Sequence, residues 1–238
     1  MKTERMIERL YAIAKLMESD DCYMFEQNVK KNTHIDIDYS LPIQLANLVL
    51  DLQNDLRTEE AKKSGKNKAL AAAKRILKHS AKYSPKEVTH YAQEYDDGTQ
   101  CVMDGYHAVK FAAKNKLPLE PMPESIRKCN NLFPIDECIP RNNNYEVELP
   151  SISDLKSYIK IKKAENKVIK SFNSRTAVAY DFGEGLPLVN AEYLLDIMEC
   201  LPEAKAYLNG DYKDKRAIYF TDGENEGVLM PCNKAEYK

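Results

Sequence analysis

The chain has 238 residues, of which 43% are hydrophobic and 30% are charged, and its formal net charge is −2. A chain of this length can bury a sizeable core in one or two domains, and its nearly balanced charge excludes a global attraction to nucleic acid or membranes. No stretch is long and apolar enough to span a bilayer, and the first residues lack the apolar core of a signal peptide. We therefore expect a cytoplasmic protein whose six scattered cysteines are free thiols.

The first third of the chain predicts helices. Apolar residues recur at helical spacing over residues 3–18, 41–56 and 68–82. Residues 22–38, between the first two helices, fit a short strand or a turn equally well. We predict a helical domain, or a helical hairpin with additional segments, over residues 1–83.

The densest run of basic residues lies at the end of this region. One interpretation is a surface that contacts phosphates and whose binding would weaken steeply with salt. The other is the solvated face of a lysine-rich helix, which the high content of charged residues favours. The basic residues of the run are Lys62, Lys63, Lys66, Lys68, Lys74, Arg75, Lys78, His79 and Lys82.

A different pattern begins at residue 88. Residues 88–95, a turn at Asp96-Asp97-Gly98 and residues 99–111 predict a β-hairpin followed by a longer strand. A short helix over residues 85–95 is the alternative. Six prolines within residues 117–150 then indicate an irregular connector.

A further helix follows the connector. It begins at Ser151 or Ser153, either of which suits an N-cap position, because a serine side chain can accept a hydrogen bond from a free helix N–H. Strand candidates come next at residues 168–172 and 176–180.

The last predicted helix begins after Asn190, another suitable N-cap residue, and ends before Pro202. Its apolar residues share one face, and acidic residues recur on the opposite face. The acidic residues are Glu192, Asp196, Glu199 and Glu203. Short strands are predicted after it at residues 205–208, 217–221 and 227–230.

Four segments carry motifs of one known family. They are Asn190-Ala-Glu-Tyr-Leu-Leu-Asp, the terminal Val228-Leu-Met-Pro-Cys232, Phe133-Pro-Ile-Asp-Glu-Cys-Ile-Pro140 and Asp104-Gly-Tyr-His-Ala-Val-Lys110. The first two, at their observed separation, resemble the end of the third domain of the bacterial DNA polymerase III β sliding clamp. The third resembles the linker before that domain, and the fourth resembles a segment found in clamp domains. The resemblance covers about residues 133–232.

The resemblance implies an α+β fold, in which a helical N-terminal region precedes a clamp-like domain of two helices on an antiparallel sheet. This domain would span residues 84–238 and would contain the connector 117–150. A complete clamp protomer has three domains and is much longer, so a ring would require several copies of this chain.

The resemblance also implies DNA binding through the first of the two helices. In sliding clamps, helices with basic faces line the central hole and contact DNA phosphates without reading bases. Lys156, Lys160, Lys163 and Lys167 are spaced to line one face. A solvated lysine face is the other interpretation. The acidic face of the last helix would either repel DNA or pair with these lysines.

A peptide-binding groove is the second implication. In the clamp family, the terminal strand helps to form a hydrophobic groove for short peptide motifs of polymerases, which here corresponds to Val228, Met230 and Pro231. The family's groove also uses the preceding domain, which the sequence does not reveal. The alternative is an edge strand whose apolar residues pack on the last helix.

The function implied is that of a non-catalytic clamp-like protein that binds DNA or replication proteins. The alternative is a structural or regulatory protein-interaction module, for example of a mobile element, that uses the clamp fold only as a scaffold. An enzyme with a site assembled from distant residues is the third hypothesis. Because the sequence lacks the common phosphate-binding, hydrolase and metalloprotease motifs, we predict no catalytic residue, metal or cofactor. His107 is expected to be a strand histidine that faces its neighbours.

Overall fold

The computed structural model describes residues 41–129, 132–141, 143, 145–165, 169–170, 176–208 and 217–232. The predictions for residues 3–18 and 22–38 and for Lys167 lie outside these residues. The chain divides into two compact units between Ser64 and Gly65. In the described residues, no helix has the length and apolar character needed to cross a membrane.

The first unit is described from helix α1 (Leu41–Lys63), which continues beyond the predicted residues 41–56. At its end, the N–H and the hydroxyl of Ser64 both donate to the carbonyl of Glu60, each at 3.0 Å. These bonds satisfy a helix carbonyl that would otherwise lack a partner. The second unit begins at Gly65, so it includes a helix that the sequence had placed in the domain 1–83.

The second unit contains short strands. In chain order they are β1 (Gln93–Glu94), β2 (Gln100–Met103), β3 (His107–Phe111), β4 (Tyr145–Val147), β5 (Ile169–Lys170), β6 (Thr176–Ala177), β7 (Ala179–Asp181), β8 (Leu188–Asn190), β9 (Lys205–Leu208), β10 (Ile218–Thr221) and β11 (Glu226–Leu229). Seven of them form one antiparallel sheet in the order β1-β2-β3-β11-β10-β9-β4, while β5-β6 and β7-β8 are separate hairpins. The last strand therefore lies at the centre of the main sheet.

The described part of this unit contains five α-helices. They are α2 (Asn67–Tyr83), α3 (Glu124–Cys129), α4 (Ile135–Cys138), α5 (Ile152–Ala164) and α6 (Ala191–Cys200). Helix α6 contacts both α2 and α5 and lies on β3 and β11, and α2 also contacts β2 and β3. The predicted α+β fold, with two neighbouring helices and an antiparallel sheet, is confirmed. We call α2, α5 and α6 the helix layer.

The sheet and α6 are in close contact at Gly227. A Cβ atom added there would lie 3.2 Å from Ile197 Cγ2 and 3.3 Å from Leu201 Cδ1, both of which belong to the α6 segment. Because side chains alternate along a strand, Val228 faces away from α6. This close contact explains why a glycine occupies a central strand, where it is otherwise unfavourable.

Part of the proline-rich connector covers the opposite face of the sheet. Ile135 and Ile139, in and after α4, pack with Val228, Met103 and Tyr219 in a buried cluster. The predicted irregular connector therefore contains ordered elements, including β4. The short helix α4 is fixed by packing on the sheet, a contact that local sequence patterns do not reveal.

Residues 85–95 combine the two alternatives that the sequence left open. A 3-10 helix spans Glu87–His90, and β1 follows it. The Thr89 hydroxyl lies 2.7 Å from the Ser80 hydroxyl and donates to the Ser84 hydroxyl at 2.9 Å. These side-chain bonds favour a turn over a continuous strand.

We predict that Gly227→Val lowers the free energy of unfolding by about 1–3 kcal/mol, because the larger side chain overpacks the contact with α6. Chemical denaturation monitored by circular dichroism measures the change. Gly227→Ala should have a smaller effect, since one methyl group requires shifts of only tenths of an ångström. Equal stability of the valine variant and the wild type would contradict the close packing of α6 on β11.

Candidate functional site

The lysine face predicted for DNA binding lies on helix α5. Ser151 caps the helix, since its hydroxyl oxygen accepts a hydrogen bond from the Asp154 N–H at 3.1 Å. Leu155 and Ile159 are buried. The lysines Lys156, Lys160 and Lys163 are exposed, as their spacing predicts.

The acidic side chains of α6 do not form the exposed face that periodicity predicts. Asp196 and Glu199 are buried, and Glu192 is only partly exposed. The physical reason is that α6 is contacted by two helices as well as by the sheet. Buried carboxylates need cationic or hydrogen-bonding partners, because desolvation of an unpaired charge is costly.

Basic residues from both neighbouring helices supply those partners. Arg75 of α2 donates from Nε to Asp196 at 2.6 Å and also contacts Glu199. Lys156 of α5 reaches Glu199 at 2.5 Å. Burial alone would raise the pKa of Glu199, but the hydrogen bonds and charges of Lys156 and Arg75 lower it below its usual range. The pairing of the two helices' charges, one of the predicted alternatives, is thus present.

A second pair joins α5 and α6 nearer the surface. Lys163 Nζ lies 2.6 Å from Glu192 Oε1. Asn190 caps this end of α6, because its side-chain oxygen accepts from the N–H of Glu192 at 2.9 Å and from that of Tyr193 at 3.4 Å. Among the described residues, no carboxylate pairs with Lys160.

A buried histidine connects the sheet to the same helix. His107 on β3 donates from Nδ1 to Asp104 Oδ1 at 2.9 Å, and its Nε2 lies 3.7 Å from Asp196 Oδ2. His79 of α2 contacts the other oxygen of Asp104. The ring of Tyr193 stacks on His107 with centroids 4.4 Å apart. His107 thus faces its neighbours, as expected for a strand histidine.

The two carboxylates stabilise the protonated form of this imidazole. Burial would lower the pKa of His107, but Asp104 and Asp196 raise it to about 9. Burial would likewise raise the pKa of Asp104, whereas the charge of His107 and the hydrogen bonds from His107 and His79 bring it below its usual range. His107 is fully buried beneath Tyr193, so this cluster cannot offer its imidazole to a substrate in solution.

An exposed aromatic surface lies over this cluster. The rings of Tyr83, His79, Tyr193 and Tyr106 follow one another with centroid separations of 4.8, 5.1 and 6.2 Å. Met230 joins the series at Tyr106, since its N–H donates to the Tyr106 carbonyl at 2.8 Å. Tyr106 and Met230 are 45% and 48% exposed. We call these five residues the tyrosine strip.

The tyrosine strip only partly coincides with the predicted peptide groove. Met230 is exposed and Pro231 is partly exposed, but Val228 is 7% exposed and packs in the core below the sheet. Sequence reasoning did not assign a binding role to Tyr106 or Tyr193. Both stand in motifs that carry the clamp resemblance, and that is the signal that could have indicated them.

The described residues contain no group of three or more histidine, cysteine, aspartate or glutamate side chains arranged to hold a metal ion. The candidate functional site consists of two surfaces. One is the exposed lysine face of α5, and the other is the tyrosine strip. The buried ionic groups Asp104, His107, Asp196 and Glu199 lie between the helices and the sheet and support both surfaces.

Comparisons with known proteins extend this description. No family model and no curated protein matches the chain. Among solved structures, the Helicobacter pylori β clamp bound to a DNA ligase peptide is similar with a TM-score of 0.46 and 12% identity, over 70% of this chain and 63% of that chain. DNA polymerase III subunit β from Borrelia burgdorferi, in complex with a natural product, gives a TM-score of 0.41 and 11% identity, over 70% and 62%.

The structural similarity to bacterial sliding clamps is partial. Both solved structures are β clamps, the family that the sequence motifs resemble, and the predicted partial resemblance is confirmed. The chain spans less than two thirds of the length of either clamp chain.

The charge of His107 predicts a specific pH dependence of stability. A histidine whose pKa rises on folding contributes stability below its unfolded pKa of about 6.5, and that contribution is lost as pH rises towards its folded pKa. With a folded pKa of about 9, the free energy of unfolding should fall by about 3 kcal/mol between pH 6 and pH 9.5. Denaturant titrations across this range measure the change.

The matched control for this experiment is His107→Asn, which removes the titrating group. Asp104, Asp196 and Tyr193 face His107, and His79 contacts Asp104. All four residues remain in the variant. The difference in stability between wild type and variant should therefore be largest near pH 6 and shrink towards pH 9.5. A difference that stays constant with pH would show that the pKa of His107 does not rise on folding.

Proposed function

We propose that the protein is a non-catalytic, clamp-like protein of the cytoplasm that binds DNA through its helix layer and replication proteins through the tyrosine strip. The observation that carries the DNA part is the charge of the layer. The helices α2, α5 and α6 hold nine basic and four acidic side chains, although the whole chain has a net charge of −2. Such a local excess attracts phosphates without reading bases.

The acidic side chains in the layer are largely occupied by internal contacts. Asp196 and Glu199 are buried against Arg75 and Lys156, and Asp154 accepts a hydrogen bond from the Ser151 hydroxyl at 2.6 Å. The exposed basic side chains extend over two helices. They include Lys68, Lys78 and Lys82 of α2 and Lys160 and Lys163 of α5. The acidic helix is therefore compatible with DNA binding.

The clamp resemblance supports the same proposal, because basic helix faces line the hole in that family. Encirclement of DNA would require several copies of this chain, since a complete clamp protomer has three domains. We propose that Lys156, Lys160, Lys163 and Lys167 form the row of lysines that binds DNA. The main role of Lys156 in this row is to hold α5 in place through its ion pair with Glu199.

Reversing the charge of α5 should abolish most DNA binding. We predict that Lys160→Glu with Lys163→Glu in the full chain weakens binding to a random-sequence duplex at least about tenfold at low salt. The slope of log K against log[salt] should fall by about 2, as expected for the loss of two phosphate contacts. Fluorescence anisotropy over a salt series measures both quantities.

The control is Lys128→Glu with Lys205→Glu, which makes the same charge change at two other exposed lysines that pair with glutamates. Lys156 is left unchanged because its partner Glu199 is buried. If the two double variants lose affinity equally, α5 is not the DNA-contacting surface. If the wild type does not bind the duplex at low salt, the DNA part of the proposal fails.

The tyrosine strip favours protein binding as the second activity. Exposed tyrosine and methionine side chains are typical of protein-recognition surfaces, since they supply large contact areas at low entropic cost. The strip includes Met230, one of the residues proposed for the peptide groove. Val228 would hold the strand that carries Met230 by packing on the opposite face of the sheet, and Pro231 would fix the end of the strand.

A peptide provides the test. The DNA ligase peptide that the Helicobacter pylori clamp binds is a suitable probe. We predict that the full chain binds it and that Tyr106→Ala or Met230→Ala weakens binding about tenfold or more, as for a residue central to an interface. Fluorescence polarisation with a labelled peptide measures affinity, and a scrambled peptide measures background.

The matched variant is Ile161→Ala, which removes an exposed apolar side chain of α5 outside the strip. It should bind the peptide as the wild type does. Equal losses in all three variants, or equal binding of the scrambled peptide, would contradict a groove at the strip. Peptide binding without any DNA binding would favour the alternative function, an interaction module that uses the clamp fold only as a scaffold.

A further inference from the structure

We propose that Glu192 competes with DNA for Lys163 and so holds the affinity of the helix layer below its maximum. This inference rests on the proposed DNA binding by α5. It concerns one contact, in which Lys163 Nζ lies 2.6 Å from Glu192 Oε1. A carboxylate at this distance occupies the position that a phosphate oxygen would take on the lysine.

The exposure of the pair makes exchange feasible. The side chains of Lys163 and Glu192 are 52% and 41% exposed. A phosphate can therefore reach the lysine, and the released carboxylate can return to water. The chain itself provides the contrast at Lys156, whose partner Glu199 has a side chain only 7% exposed. Releasing Lys156 would leave a buried carboxylate with less compensation, which is costly.

The strength of the pair sets the size of the effect. Exposed ion pairs are weak, and breaking one changes an equilibrium constant by a factor of up to about five. DNA can thus displace Glu192, but the free energy of DNA binding then includes the cost of breaking the Lys163–Glu192 ion pair. Glu192 moderates the affinity of α5, and it has a second role in α6, where its position in the first turn suits the helix dipole.

The test is Glu192→Gln in the full chain, with the same random-sequence duplex as probe. Glutamine keeps the length of the side chain but releases Lys163 from the ion pair. We expect binding about threefold tighter at low salt and a salt slope steeper by up to about 0.9, since one more lysine loses its internal counter-charge. Glu203→Gln makes the same charge change at an exposed glutamate just after α6 and should produce a smaller gain.

A double-mutant cycle makes the inference specific. In a Lys163→Gln background, Glu192→Gln should give no gain, because the competed lysine is absent. A gain that persists without Lys163, or equals that of Glu203→Gln, would show a general charge effect and overturn the inference. If the wild type binds DNA and Glu192→Gln binds equally, competition is excluded while the proposed function stands. If no variant binds DNA at low salt, the proposed function fails as well.

Discussion

The burial of two carboxylates on α6 is the constraint on which the rest of the second unit depends. Asp196 and Glu199 lie where α6 is covered by other helices, and desolvation of these charges requires cations close by. Arg75 from α2 and Lys156 from α5 provide them. The residues that make α6 acidic therefore determine which helices flank it. Arg75 and Lys156 both contact the Glu199 carboxylate, and this shared contact brings α2 and α5 to the same part of α6.

This arrangement also decides what the helix layer presents to solvent. If the carboxylates of α6 faced solvent beside the lysines of α5, the two sets of charges would offset each other. The carboxylates of α6 are instead mainly directed into contacts with the neighbouring helices. The lysines of α2 have no acidic residue on their own helix. The net positive charge of the layer follows from internal pairing, and the overall charge of the chain gives no indication of it.

Local signals predicted much of the fold, whereas contacts distant in sequence did not follow from them. Asn190 and Ser151 are N-caps as expected, and the last three strands lie close to their predicted residues. The failure concerns Asp196, which periodicity placed on an exposed face. Helical periodicity distinguishes one buried face from one exposed face, but it cannot indicate a helix covered by several elements. Arg75, which donates to Asp196, lies 121 residues away in the sequence. The tyrosine strip likewise depends on the pairing of β3 with β11, which brings Tyr106 to Met230.

The buried histidine distinguishes a supporting cluster from a reactive one. An imidazole between carboxylates is also found in catalytic sites, where one ring nitrogen remains available to a substrate. In this protein Asp104 binds one nitrogen of His107 and Asp196 lies near the other, while Tyr193 covers the ring. Both nitrogens are thus directed at protein carboxylates, and the proton serves to join β3 to α6. Because the side chains of Lys160 and Met230 take no part in these contacts, each proposed surface can be altered at one of these two residues without disturbing the cluster that supports it.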